Sequence, residues 1–227
     1  MEPKRLARIG GALYLAIIVI GFCGETFVRD RLIVSGDPMA TAANIRAHES
    51  LWRFHIAAEL FLLICATALL AILYILLRSV SRDLMLLAVF FNAISIGIEA
   101  AITMYLLVAL FPLTATTTAF SPEQLAVMSN LSLKSHANGF GVSLLFFGCF
   151  CVVIGYVIFK SGLIPKAVGV LMGIAGACYL INSFALILSP AVANRLFPAI
   201  LLPALIGELS LCVWLLIKGV RTGSPVQ

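Results

Sequence analysis

Six long apolar runs constrain the fold of this chain more than any other feature. Each is long enough to cross a hydrocarbon core of about 30 Å, which takes about 20 helical residues. Only 11% of the residues are charged, whereas a soluble domain carries about 25% charged residues. The sequence therefore predicts an all-α polytopic membrane protein, a six-transmembrane-helix bundle that forms a single domain over residues 1–227. The predicted spans are residues 8–28, 55–77, 84–111, 138–159, 167–188 and 197–217.

The distribution of lysine and arginine predicts the orientation of the bundle, because cytoplasmic loops are enriched in these residues. The two ends of the chain and the short connections after spans two and four hold nine of the 15 cations. Both termini are therefore expected in the cytoplasm. Tyr14, Tyr74, Tyr156 and Trp214 are then expected in the aromatic belt near the inner boundary. The net charge of +5 follows from the same asymmetry and indicates no nucleic-acid partner. The nine cations are Lys4, Arg5, Arg8, Arg78, Arg82, Lys160, Lys166, Lys218 and Arg221.

Two longer connections each contain a strong helix start. Asp37 followed by Pro38 offers an N-cap and a proline at the first helical position, and residues 39–53 are expected to form one helix that leads into span two. Ser121 followed by a proline repeats the signal, and Gln124 completes a capping box. These two capped helices are expected to cover the outer mouth of the bundle or to anchor it at the membrane interface.

The last long helix before span five and the last span each contain a feature that can interrupt a helix. A helix over residues 122–160 would be longer than the membrane is thick, so it must project outward or break, and Asn138, Gly139 and Gly141 mark the expected break. Pro203 is expected to bend span six five residues before a glutamate, because proline removes one backbone hydrogen bond.

Four glutamates lie inside the predicted spans: Glu25, Glu59, Glu99 and Glu208. A charge at the bilayer centre costs roughly 2.5–3.5 kcal/mol, so each must be protonated, paired, metal-bound or exposed to a water-filled cavity. Glu25 is expected to pair with Arg29. Glu99 and Glu208 have no basic neighbour nearby in the sequence, and they are expected to face each other as two hydrogen-bonded neutral acids.

Glu59 has two candidate partners nearby in the sequence, Arg53 and His55. His55 lies four residues before it and therefore on the same helix face.

Further polar residues are expected to share the interior with these acids. Asn92, Ser95, Glu99 and Thr103 form a stripe at steps of three and four residues. With the predicted orientation, nearly all of the polar groups fall in the outer half of the membrane, which predicts a cavity open to the outside. The residues predicted to bind a ligand or a proton are Glu59, Asn92, Glu99, His136, Asn138, Asn182 and Glu208.

A set of short motifs is spread over nearly the whole chain: Arg8-Ile9-Gly10-Gly11-Ala12-Leu13-Tyr14, Gly36-Asp37, Thr41, Asn44, Trp52-Arg53, His136, Gly139-Phe140, Phe146-Phe147-Gly148, Gly155-Tyr156, Ser161-Gly162, Pro165, Gly169, Tyr179, Gly207-Glu208-Leu209-Ser210 and Trp214-Leu215-Leu216. In these motifs the chain resembles a bacterial family of six-span membrane proteins catalogued as a domain of unknown function. The resemblance implies a multi-pass protein of the bacterial plasma (inner) membrane, and it implies no activity. Members often carry a histidine in a Phe-Phe-Gly-x-His-Cys run, where this chain has Phe150, so a metal ligand at that position is absent here.

Three functions remain open on the sequence alone, and the sequence does not assign a cofactor. The first is binding or translocation of a small ligand, a proton or a cation, for which a homodimer is expected in the lipid bilayer. The second is a structural or partner subunit whose acids only lock the packing of the helices. The third is an intramembrane metal-dependent hydrolase, or a haem protein with His55 and His136 as axial ligands. In the hydrolase, His55, Glu59, His136 and Glu208 would hold zinc or iron.

Overall fold

The computed structural model describes residues 2–114 and 119–220 of the chain. Within these residues the fold is entirely helical, which confirms the predicted all-α class. A π-helical segment, Gly24–Arg29, continues the first helix into a short second one. The α-helices are α1 (Pro3–Cys23), α2 (Asp30–Leu32), α3 (Pro38–Ala47), α4 (Glu49–Leu77), α5 (Arg82–Val108), α6 (Leu110–Thr114), α7 (Pro122–Ser161), α8 (Lys166–Leu188), α9 (Pro190–Leu196) and α10 (Leu201–Ile217).

Five helical segments of the described residues are long and apolar enough to cross a membrane. A sixth crossing would be formed by α9 and α10 together, which are bent by 57° relative to each other. A multi-pass membrane protein with five or six candidate spans is therefore confirmed. The cytoplasmic position of both termini stays a prediction, and Arg221, one of the nine cations behind it, lies outside the described residues. The five segments are Pro3–Leu32, Glu49–Leu77, Arg82–Thr114, Pro122–Ser161 and Lys166–Leu188.

Contacts divide the chain into two compact units, and the boundaries between them fall inside helices. The first unit contains Met1–Ala16, Cys65–Gly97 and Gly141–Gln227. The second unit contains Ile17–Ile64 and Ile98–Phe140. The predicted single transmembrane domain stays a prediction.

Glycines bring the helices of the first unit into backbone contact. A Cβ placed on Gly155 of α7 would lie 2.7 Å from the carbonyl oxygen of Gly169 on α8. A Cβ on Gly11 of α1 would lie 2.7 Å from the Cα of Leu216 on α10. Small residues at such crossings let membrane helices approach closely and gain dispersion energy. These contacts fix α7 against α8 and α1 against α10.

The second unit has its own apolar core around Trp52. The indole Nε1 donates a hydrogen bond of 3.1 Å to the carbonyl oxygen of Leu106, so α4 is fixed to α5. Helix α3 packs on α6, and the Nε of Arg46 donates to the carbonyl oxygen of Leu113 at 3.0 Å. The buried apolar residues of this core are Val28, Leu32, Ala42, Ile45, Trp52, Ile56, Leu106, Ala109, Leu110, Leu113, Ala126 and Leu133.

Both predicted caps are present, but the first capped helix is shorter than expected. The carboxyl of Asp37 accepts a hydrogen bond of 2.9 Å from the N–H of Ala40. Helix α3 then ends at Ala47, because His48 has a backbone ψ of 36° and its N–H bonds back to the last carbonyls of the helix. The expected unbroken helix over residues 39–53 is therefore wrong.

Helix α7 is continuous, so the expected break at Asn138, Gly139 and Gly141 is also wrong. Its 40 residues span about 60 Å at 1.5 Å per residue. The two glycines serve packing instead of a break. A Cβ on Gly139 would lie 3.4 Å from the Cβ of Ile102, and one on Gly141 would meet the side chain of Leu186. The predicted capping box is confirmed at the start of the helix by reciprocal bonds between Ser121 and Gln124.

Pro203 does not bend the helix that carries Glu208. It is the third residue of α10, where the backbone N–H would lack an intrahelical acceptor in any case. The bend of 57° separates α9 from α10 and therefore precedes the proline.

Candidate functional site

The second unit contains a cluster of four ionisable side chains, which we call the imidazole cluster: Arg29, His55, Glu59 and His136. Arg29 is the last residue of the π-helical segment, His55 and Glu59 lie on α4, and His136 lies on α7. A π-helical turn inside an α-helix is rare and occurs frequently at functional sites. Three separate helical elements therefore supply the cluster.

Glycine at position 24 allows the first helix to approach this cluster. A Cβ placed there would lie 2.8 Å from Cε1 and 2.9 Å from Nδ1 of His55. It would also lie 3.5 Å from a carboxyl oxygen of Glu59. Any larger residue at Gly24 would have to displace the imidazole, so the backbone of the π-helical segment forms one wall of the cluster.

The two imidazoles are buried, and both interact electrostatically with Arg29. His55 is 2% exposed and His136 is 4% exposed. The guanidinium of Arg29 interacts electrostatically with both rings and with Glu59. Arg29 also pairs through Nη1 with Glu25 at 3.1 Å, which confirms the predicted pair.

Three nitrogens of the cluster are buried and have no hydrogen-bond partner among the described residues. They are Nε of Arg29, Nε2 of His55 and Nδ1 of His136. A buried polar atom without a partner costs about 1–3 kcal/mol. Native structures satisfy the large majority of such atoms, and the exceptions include sites for a water, an ion or a ligand. Three exceptions in one cluster are the strongest functional signal in the structure.

Glu59 is not paired with Arg53, the first of its two expected partners. Arg53 instead forms an exposed ion pair with Glu49 at 2.7 Å. The second expected partner, His55, places Nε2 at 3.8 Å from a carboxyl oxygen of Glu59, which is beyond hydrogen-bond length. The Glu59 side chain is 22% exposed and lies at the edge of the cluster.

Glu208 lies in the first unit and is held by two tyrosines that the sequence did not connect with it. The Tyr14 hydroxyl on α1 donates a hydrogen bond of 3.1 Å to one carboxyl oxygen. The Tyr179 hydroxyl on α8 donates to the other oxygen. Tyr14 is only 4% exposed, so its ring packs inside the protein. Its expected place near the inner boundary of the membrane stays a prediction.

A family model described as a domain of unknown function, DUF4386, matches residues 9–219. The chain belongs to the DUF4386 family. This match confirms the resemblance predicted from the sequence motifs. It covers every residue of the imidazole cluster as well as Glu208 and its two tyrosines. No curated protein and no solved structure matches the chain.

The polar stripe on α5 of this DUF4386 protein faces the interior. Asn92, Ser95 and Thr103 are buried, and Glu99 is half-buried. The Thr103 hydroxyl donates to the backbone carbonyl of Glu99 at 2.8 Å. Glu99 belongs to the second unit and Glu208 to the first, and their predicted pairing stays a prediction.

The remaining predicted site residues of the DUF4386 chain differ in their surroundings. Asn182 is half-buried on α8 in the first unit, and Asn138 is exposed on α7 in the second. Their predicted role in ligand binding stays a prediction.

No metal-binding group of three or more His, Cys, Asp or Glu side chains occurs in residues 2–114 and 119–220. His55, Glu59 and His136 belong to the second unit of this DUF4386 protein, whereas Glu208 belongs to the first. The ligand set of the hydrolase alternative therefore finds no support in the described geometry.

Proposed function

We propose that this protein binds a small polar ligand inside its helical bundle, at the imidazole cluster. A single observation carries the proposal: three buried nitrogens from three helical elements have no hydrogen-bond partner among the described residues. Their combined cost of several kcal/mol is comparable with the net stability of a typical domain. A ligand that accepts or donates hydrogen bonds at these atoms would remove that cost. The same hydrogen bonds would give the ligand its affinity and its specificity.

The donor chemistry limits the ligand. The Nε of Arg29 can only donate, so the ligand must present at least one acceptor there. A neutral imidazole nitrogen is a donor or an acceptor according to its tautomer. His55 and His136 can therefore adapt to either kind of ligand atom. Hydrogen bonds in such a low-dielectric interior are stronger than in water.

The location of the site follows from the predicted orientation. With both termini in the cytoplasm, α4 begins on the outer side, and His55 lies only six residues after its first residue. We therefore expect the imidazole cluster in the outer half of a bacterial inner membrane. Glu99 in the second unit and Asn182 and Glu208 in the first stay further predicted binding groups, each within its own unit. A homodimer is expected if the protein translocates its ligand or a proton.

Ligand-dependent thermal stability tests the proposal. The purified full-length protein in maltoside detergent is heated with millimolar inorganic phosphate, acetate, ethanolamine or phosphoethanolamine. We expect at least one of these compounds to raise the Tm of the wild-type protein and to leave the Tm of His136→Ala unchanged. Leu131→Ala is the matched control, because Leu131 lies on α7 five residues before His136 and is exposed. Equal responses of the wild-type protein and His136→Ala to all four compounds would contradict the proposal.

A second function, as a structural subunit, is favoured by the environment of Glu208. Both oxygens of its carboxyl accept hydrogen bonds from tyrosines on two other helices. This arrangement locks α1, α8 and α10 together without any ligand. If locking is its whole role, replacement of Glu208 lowers stability and leaves ligand binding at the imidazole cluster intact.

A further inference from the structure

The geometry points to a zwitterionic ligand for the imidazole cluster, one that carries an ammonium group and an oxyanion group a few bonds apart. Phosphoethanolamine and the amino acids have this chemistry. The inference rests on the proposed function and narrows it to one class of ligand.

The oxyanion half of the ligand is indicated by the unpartnered donors. The Nε of Arg29 is buried and has no acceptor in the described part of the chain. Guanidinium groups bind carboxylate and phosphate oxygens through short charge-assisted hydrogen bonds. The unpartnered nitrogens of His55 and His136 interact electrostatically with Arg29, and each can donate to the oxyanion in the tautomer that carries its proton there.

The ammonium half is indicated by Glu59. Its carboxyl lies 3.8 Å from Nε2 of His55, and no hydrogen bond to it occurs within residues 2–114 and 119–220. An ionised carboxyl only accepts hydrogen bonds, and an ammonium group offers three donors. Glu25 adds a second carboxyl, which interacts electrostatically with Glu59 and pairs with Arg29.

The unmet hydrogen bonds separate a zwitterion from simpler ions. Arg29 pairs with Glu25 through Nη1, and its Nε still lacks an acceptor among the described residues. A simple anion would satisfy Arg29 and leave the carboxyl of Glu59 without a donor, whereas a simple cation would satisfy Glu59 and leave Nε of Arg29 without an acceptor. A zwitterion can place each of its charges beside the opposite charge, and such electrostatic complementarity gives specificity.

The side chains around the cluster differ in exposure. The imidazoles of His55 and His136 are almost fully buried. The side chains of Arg29, Glu59 and Glu25 are 17%, 22% and 54% exposed. A ligand would therefore enter past the acids and bind against the imidazoles.

Two sources could deliver the same ammonium and oxyanion chemistry: a free solute and a phospholipid headgroup. Phe22 and Phe27 lie within three residues of Glu25, and Phe54 precedes His55. All three rings are exposed and would contact lipid in a membrane. The experiment therefore has one arm with soluble compounds and one arm with lipids.

Fluorescence of Trp52 gives a direct readout, because its ring centroid lies 5.9 Å from that of His55. The chain has two tryptophans, so Trp214→Phe leaves Trp52 as the sole indole. This change should be tolerated, since the Nε1 of Trp214 is buried and has no hydrogen-bond partner in the described residues. The full-length Trp214→Phe protein is titrated with phosphoethanolamine, inorganic phosphate and ethanolamine. In the lipid arm it is placed in nanodiscs of phosphatidylethanolamine or of phosphatidylglycerol.

The inference is supported by either of two results. In the soluble arm, we expect a saturable change in emission with a Kd for phosphoethanolamine about tenfold or more below that for phosphate or ethanolamine, because each half of the ligand has its own partners. In the lipid arm, we expect phosphatidylethanolamine and not phosphatidylglycerol to change the emission. Glu59→Gln should reduce either response about tenfold by removing the partner of the ammonium group. Glu49→Gln, which removes an exposed ion pair on the same helix, should have no effect.

The two levels of the proposal fail in different ways. If phosphate alone binds as tightly as phosphoethanolamine and Glu59→Gln binds it equally well, the ligand is a simple anion. The zwitterion inference is then wrong and the proposed function stands. If no soluble compound and neither lipid changes the emission of Trp52, both are wrong.

Discussion

Tyr14 and Glu208 lie 194 residues apart in the chain, and the Tyr14 hydroxyl donates a hydrogen bond of 3.1 Å to the Glu208 carboxyl. Tyr179 donates to the other oxygen of the same carboxyl. Helices α1, α8 and α10 are therefore joined at one half-buried acid, and the backbones of α1 and α10 also touch at Gly11 and Leu216. A carboxyl between two hydroxyl donors needs no further partner inside the membrane.

Two replacements of Glu208 should show how much its hydrogen bonds, as distinct from its charge, contribute to the stability of the protein. Glu208→Leu leaves two tyrosine hydroxyls without their acceptor, and we expect the free energy of unfolding to fall by roughly 2–5 kcal/mol. Glu208→Gln keeps one acceptor oxygen, and its amide can donate to the second hydroxyl, so a loss of about 1 kcal/mol is expected. Unfolding by SDS titration in detergent, followed by circular dichroism, measures both values. Equal losses in the two variants would show that the hydrogen bonds do not hold the helices.

The tyrosine lock illustrates what the sequence could predict here. Apolar runs, caps and the presence of buried acids follow from local patterns, and the helices and both caps agree with them. The partners of Glu208 depend on which helices pack together, and local spacing carries no such information. The position of Tyr14 near the end of a span predicts a place near the membrane boundary, but it does not indicate which residue the hydroxyl contacts.

The imidazole cluster was predictable only in part. The spacing of His55 and Glu59 placed them on one face of α4, and Glu25 was correctly paired with Arg29. The role of Arg29 at the centre of the cluster was missed, because it depends on the π-helical segment. A π-helical turn adds a residue to the helix and turns every following side chain, and no periodicity in the sequence signals it.

Gly24→Ala should disturb the imidazole cluster directly. The new Cβ would lie 2.8 Å from Cε1 of His55, so either the ring or the helix must move. We expect a destabilisation of roughly 1–3 kcal/mol, as for other overpacked interiors, and a changed emission of Trp52, which packs near the same ring.

Gly21→Ala is the control on the first helix, because its Cβ would lie at an ordinary 3.7 Å from Leu62. That variant should be neutral or slightly stabilising, since alanine favours a helix. If both variants behave alike, His55 does not occupy the space beside Gly24.

The predicted orientation is open to a test with reporter fusions in a bacterial host. The distribution of lysine and arginine predicts that green fluorescent protein fused after Gln227 fluoresces, since this reporter matures in the cytoplasm and fails to do so when exported unfolded. Alkaline phosphatase fused after Ser121, in the connection between the third and fourth predicted spans, should be active, because it requires the oxidising outer compartment. The opposite pattern would place the imidazole cluster in the inner half of the membrane.

His136→Leu distinguishes a binding residue from a packing residue through its effect on stability. If Nδ1 of His136 is kept unpartnered for a ligand, an apolar side chain of similar size removes the cost of that buried nitrogen. We then expect the unliganded protein to gain about 1 kcal/mol of stability while losing its response to ligand, which is the usual exchange of stability for function at a binding site.

Ser143 provides the contrast on the same helix, because its buried hydroxyl lies 2.7 Å from that of Ser95. Ser143→Ala breaks a satisfied pair and should lower stability by about 1 kcal/mol. Both values come from SDS unfolding of the unliganded protein. A loss of stability in His136→Leu as large as that in Ser143→Ala would mean that the imidazole is part of the packing, and the ligand site would have to be sought elsewhere.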